Sequence, residues 1–186
     1  MLIRDLRNDL LAFDGKNVTV LSEIAVRYGG HLGYVDGLLA AADDPEGHRS
    51  DGATWLIKAY LDAGGELTKP QFEMLISKLG ELKTWASQLH VCQLVRHLRP
   101  NEEQADTIVR WLIPILAHDR PFLRAWSLDA LCHASAQHSA YAHRAMEALN
   151  AAMEDPAASV RARARNLRKS HPALCKSTSD EVNTRP

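Results

Sequence analysis

Cysteine is sparse in this chain: Cys92, Cys132 and Cys175 are all there is, an odd number with no CxxC pair. That excludes a disulfide scaffold and disfavours zinc, and it fits buried thiols in a reducing compartment. Long apolar runs are also missing. The longest, Trp111 to Ala117, falls far short of the ~20 residues that span a bilayer. Arg4, Asp5, Arg7 and Asp9 interrupt the opening segment, so it reads as no signal peptide, and no lipidation motif is visible. The expectation is a cytoplasmic protein with no membrane partner. Charge of one sign is lacking too: 22 Lys and Arg face 23 Asp and Glu, so a nucleic-acid role would need a local basic patch. GxSxG, Walker and GxGxxG motifs are absent, and so is HExxH. No cofactor is expected.

What is present is a repeat. The 186 residues are 46% hydrophobic and 24% charged, enough for one self-supporting globular domain. Displacing the chain by 37 residues aligns Leu38, Leu75, Leu112 and Leu149. Three residues earlier stand Val35, Phe72, Val109 and Met146, and four later Ala42, Leu79, Leu116 and Met153. Spacings of i, i+3, i+4 and i+7 mark one helix face, met four times without an insertion. A second helix follows in each unit, with the column Arg49, Ala86, Leu123, Val160 and then Ala53, His90, Ser127, Ala164. Unit two fits this second set better when slipped by one residue, through Trp85, Leu89 and Cys92.

Turns separate the helices. They contain Asp44-Pro45, Asp119 before Pro121, and Asp155-Pro156, where Asp caps exposed N–H groups and Pro suits a first helical turn. Pro114, inside the first helix of unit three, is expected to kink it. The segment VTVLSEIAVRYGG reads as a helix capped at Asn17 and ended at Gly29 and Gly30. Every segment is therefore predicted helical.

A turn with Asp and Pro, then a helix opening Val-Arg with a small residue three positions on, resembles HEAT repeats. The clearest copies are Glu154 to Leu167, with Val160, Arg161 and Ala164, and His118 to Leu131, with Leu123, Arg124 and Ser127. The resemblance covers about residues 34–171, and units one and two depart from the Val-Arg signature. It implies an all-α fold, a right-handed α-α superhelix (solenoid) of helical pairs with a 37-residue period. The expected organisation is a solenoid over 1–171, with an N-terminal cap at 1–33, repeats at about 34–66, 71–100, 104–138 and 142–171, and a polar, disordered tail at 172–186.

In HEAT-like stacks the second helices line a concave face that holds a partner. The resemblance therefore places a groove at Trp55, Lys58, Gln88, Val91, Val95, Arg96, Leu128, Asp129 and His133. The second helices of units two and three are apolar almost all round, which means either burial or an open apolar groove. Residues 156–186 carry seven Lys and Arg against two acids. There Arg161, Arg165, Arg168 and Lys169 offer a phosphate or acidic-partner patch, or a solvated end helix; acidic and basic ends also fit head-to-tail self-association. His90 and His97, and His133, His138 and His143, lack the i, i+4 spacing that holds a metal, so no metal is expected. The sequence reading is a non-enzymatic protein-binding module or scaffold gripping a protein or peptide. The alternative is a nucleic-acid binder related to HEAT-like alkylpurine DNA glycosylases, which Asp129 near Trp126 weakly resembles.

Overall fold

The computed structural model describes residues 2–175. They form ten α-helices and no strand: α1 (Leu2–Asp9), α2 (Val18–Tyr28), α3 (Tyr34–Ala41), α4 (Arg49–Asp62), α5 (Lys69–Lys78), α6 (Trp85–Leu94), α7 (Glu102–Ile115), α8 (Pro121–Gln137), α9 (Ala142–Met153) and α10 (Ala158–Ser170). None is long and apolar enough to cross a membrane. The helix ends follow local chemistry. Asn17 Oδ1 accepts from the Thr19 amide at 3.1 Å and starts α2, which ends at Gly29. Thr68 with Gln71 and Asn101 with Gln104 build reciprocal capping boxes on α5 and α7. Pro114 stands in the last turn of α7, one residue before the helix ends, so it closes the helix where a mid-helix kink was expected. Pro172–Cys175 form a 3₁₀ turn against α9 and α10, and the rest of the tail expected from residue 172 lies outside the described residues.

The chain divides into two compact units, Met1–His97 and Leu98–Pro186. In the first, α3 packs on α1, α4 and α5, and α4 packs on α6. Leu6, Leu10, Leu21, Leu38, Leu39, Leu56 and Ile57 fill its core. Gly52, in the first turn of α4, lets this happen. A Cβ there would lie 3.1 Å from a methyl of Leu10 and of Leu21 and 3.3 Å from the Phe13 ring. In the second unit, α8 packs on α7, α9 and α10, around Ile108, Leu112, Leu123, Leu131, Leu149 and Val160. Leu38, Leu75, Leu112 and Leu149, the column that repeats every 37 residues, are all buried.

The second helices begin after His48, Thr84, Arg120 and Ala157, at intervals of 36, 36 and 37 residues. Leu89 and Cys92 are buried as the slipped register requires, whereas Trp85, the first residue of α6, is 44% exposed.

One further column explains how each turn is held. Ser50, Ser87, Arg124 and Arg161 share the 37-residue register, and each donates to backbone carbonyls upstream of it: Ser50 at the end of α3, the other three just before their own helices. Ser50 Oγ reaches Ala42 O at 2.5 Å and Ser87 Oγ reaches Thr84 O at 3.0 Å. Arg124 Nη1 reaches His118 O and Asp119 O at 2.8 and 3.1 Å, and Arg161 Nη1 reaches Asp155 O and Pro156 O at 2.6 and 2.9 Å. The two Asp-Pro turns share a second device. Asp44 accepts from the Glu46 amide and from Arg7 at 2.6 Å; Asp155 accepts from the Ala157 amide and, bidentately, from Arg124 at 2.8 Å. Burial pushes the Asp44 carboxyl up, but the Glu46 amide and the Arg7 and Arg49 guanidiniums outweigh it and leave it below the usual range. Arg124 does the same for Asp155, against a smaller opposing effect of burial.

Candidate functional site

Second helices within each unit meet through polar rungs. Between α4 and α6 there are three. Asp51 accepts from the Thr84 hydroxyl, and its other oxygen meets His48 Nδ1 at 2.9 Å. Thr54 Oγ1 lies 3.1 Å from His90 Nδ1. Asp62, at the end of α4, meets His97 Nε2 at 2.8 Å and Arg96 at 3.8 Å, while Lys58 reaches it at 2.5 Å along the same helix. Thr54 already donates to Ser50 O at 2.8 Å, so His90 must be the donor in the middle rung. Burial pushes the His90 imidazole down to about 4, against the opposing pull of the Asp51 charge. At Asp62, burial raises the carboxyl but Lys58 and His97 more than offset it.

Between α8 and α10 the rungs are Arg124–Asp155, then Asp129 with Arg163 Nη1 at 3.0 Å, then the His133 and His171 rings, edge to face at 5.2 Å. His133 Nε2 also lies 3.5 Å from Asp129. The Arg163 guanidinium sits 3.9 Å above the Trp126 ring. Carboxylate, indole and guanidinium thus form one group, with the Asp129 side chain only 8% exposed.

The predicted groove residues separate into two sets. Trp55, Lys58, Gln88, Arg96 and His133 are half-buried, and Asp129 is held by Arg163. Gln88 is tied by its amide to Leu82 O at 2.9 Å. Val91, Val95 and Leu128 are at most 2% exposed, so they contribute no area to a partner. This corrects the apolar-groove expectation. The all-round apolar character of α6 and α8 reflects packing: Leu89, Cys92, Leu94, Ala130, Leu131 and Cys132 are buried as well. On α10, Arg165, Arg168 and Lys169 are exposed, whereas Arg161 is committed to its turn. Arg163 was not singled out from the sequence, although the repeat held the signal, because it shares a column with Trp126 and stacks on it. Among the described residues no group of three or more His, Cys, Asp or Glu could hold a metal ion.

No family model matches this chain, and no curated protein or solved structure matches it.

Proposed function

We propose that the chain is a HEAT-like α-solenoid over residues 1–171, right-handed, with α3/α4, α5/α6, α7/α8 and α9/α10 as repeats. On this reading it is a non-enzymatic, cytoplasmic module that binds a protein or peptide along its second helices. The observation that carries this reading is the separation of the polar bonds joining second helices: 33, 36 and 35 residues in one unit, 31 and 34 in the other. Helices tied at one repeat length lie side by side and offer a shared face, the usual docking surface of solenoids. With Val91, Val95 and Leu128 buried, the contact would be polar; in the first unit Trp55 would be the aromatic anchor and Lys58 and Arg96 would set specificity, and in the second His133 would be the contact. The test is capture from native lysate at low and high salt, with nuclease as control. A protein captured at low salt and retained after nuclease, with affinity weakened by at least ~1 kcal/mol in Lys58→Ala/Arg96→Ala, supports the reading. Equal capture by that variant and the parent refutes the site.

A second reading, nucleic-acid binding with a link to HEAT-like DNA glycosylases, is favoured by the Asp129, Trp126 and Arg163 group beside the exposed Arg165 and Lys169. Against a general-base role, Asp129 is already paired with Arg163. This reading predicts binding that collapses with salt, and base release that Asp129→Asn abolishes.

A further inference from the structure

In the N-terminal unit, α5 is tied to α3 by two side chains. Gln71 Nε2 donates to Asp36 at 3.2 Å, and Lys78 meets Asp43 at 2.5 Å. Two repeats later the 37-residue register replaces Gln71 by Ala145 and Lys78 by Ala152, on α9. Neither methyl can bridge to α7. A cleft of about 380 Å³ opens between the end of α7 and α9, lined by Leu116, Leu128, Val160, Ala148 and Ala151, with Arg144 on its wall. Leu128 and Val160 are buried and form the floor; Arg144 and Glu147 are exposed and form the rim.

We propose that this cleft binds a medium-chain aliphatic carboxylate, its chain on Leu116 and the alanines above the buried Leu128 and Val160, its carboxylate on Arg144. The volume lies within the roughly 300–1,000 Å³ of small-molecule sites, and the lining is apolar apart from a few polar groups. Those polar groups sort by partner. Arg124 and Asp155 neutralise each other, and Glu147 lies 3.6 Å from His143. Arg144 forms no ion pair among the described residues, so its guanidinium donors are not engaged by another side chain. A single planar guanidinium suits a monoanionic carboxylate, which it can grip with two parallel hydrogen bonds. This site does not involve the outer face of the second helices and stands or falls separately from the binding module proposed above.

The experiment is a methyl-resolved NMR titration of the full chain with decanoate. Expected are saturable shifts of the Leu116, Ala148, Ala151 and Val160 methyls, below the concentration at which decanoate forms micelles. Arg144→Gln should weaken decanoate by about tenfold while leaving decanol unchanged, because only the acid uses the guanidinium. Ala148→Leu should remove binding with an unchanged circular dichroism spectrum; if it fails to fold, Ala151→Leu serves instead. Unsaturable shifts, shifts centred on the exposed Val18 and Val26 of α2, or equal decanoate affinity in Arg144→Gln would overturn the proposal. So would a silent decanoate titration alongside an acidic amphipathic peptide that moves the same methyls.

Discussion

His90 provides a test of the α4–α6 interface that depends on a single proton. Its ring donates Nδ1–H to Thr54, whose own hydroxyl proton is committed to Ser50 O, and burial lowers the imidazole from 6.5 to about 4. The unfolded chain binds the proton below its ordinary value near 6.5; the folded chain does not until about 4. Between those values the unfolded state carries more protons, so stability falls as pH falls. The slope is about 1.4 kcal/mol per pH unit, which costs about 2 kcal/mol at pH 5 and about 3 kcal/mol by pH 4. His90→Asn keeps an N–H donor near the Nδ1 position and does not titrate. Urea unfolding of both proteins at pH 7 and pH 5 isolates the effect, because every other titrating group is common to the pair. The parent should lose about 2 kcal/mol more than His90→Asn over that interval. Parallel losses would show that His90 is either protonated or solvated in the folded chain, and the rung as described would be wrong.

Other substitutions probe the packing. Arg124→Ala should destabilise by about 2–3 kcal/mol in urea unfolding, since it strips Asp155 of a bidentate partner and two turn carbonyls of a donor; Arg124→Lys should recover little, because an ammonium cannot fork. Gly52→Ala should fail to deliver the gain of about 1 kcal/mol that an exposed helical glycine would, because Leu10, Leu21 and Phe13 must all give way; a clear rise in melting temperature would contradict this packing. Arg163→Met should cost about 2 kcal/mol by taking the guanidinium from the Asp129 carboxylate and leaving it only the longer His133 contact, and adding Asp129→Asn should restore part of it. Additive losses in that double-mutant cycle would show that the two side chains are uncoupled.

Much of the helical layout was legible because burial leaves a periodic mark. Leu38, Leu75, Leu112 and Leu149 recur at one spacing because each must be apolar for its helix to pack, and Asn17 caps α2 because few residue types can. Polar positions leave no such mark. Ser50 and Ser87 occupy the column of Arg124 and Arg161 and bond to the same kind of carbonyl, yet hydroxyl and guanidinium share no pattern a residue alignment would recognise. The outward assignment of Val91, Val95 and Leu128 failed for a related reason. α6 and α8 bury apolar residues on more than one side, so helical periodicity fades and no face is marked as exposed.

The basic end of the chain shows why counting charges overstates a binding surface. α10 carries Arg161, Arg163, Arg165, Arg168 and Lys169 and no acid. Arg161 is spent on the Asp155 and Pro156 carbonyls, and Arg163 on Asp129 and the Trp126 ring. Arg165, Arg168 and Lys169 are the exposed basic side chains of this helix, an upper bound of three phosphate contacts. Each phosphate neutralised on duplex DNA contributes about −0.9 to the slope of log affinity against log salt, so α10 alone can supply a slope no steeper than about −3. A binding titration across salt concentrations, compared with Arg165→Ala/Lys169→Ala, measures that share directly. If the double substitution flattens the slope by about 2, the exposed pair meets phosphates and the nucleic-acid reading gains its interface. If the slope is unmoved while Arg161→Ala flattens it, the turn bonds of Arg161 are not what holds it, and the structural role given to the Val-Arg arginines falls with them.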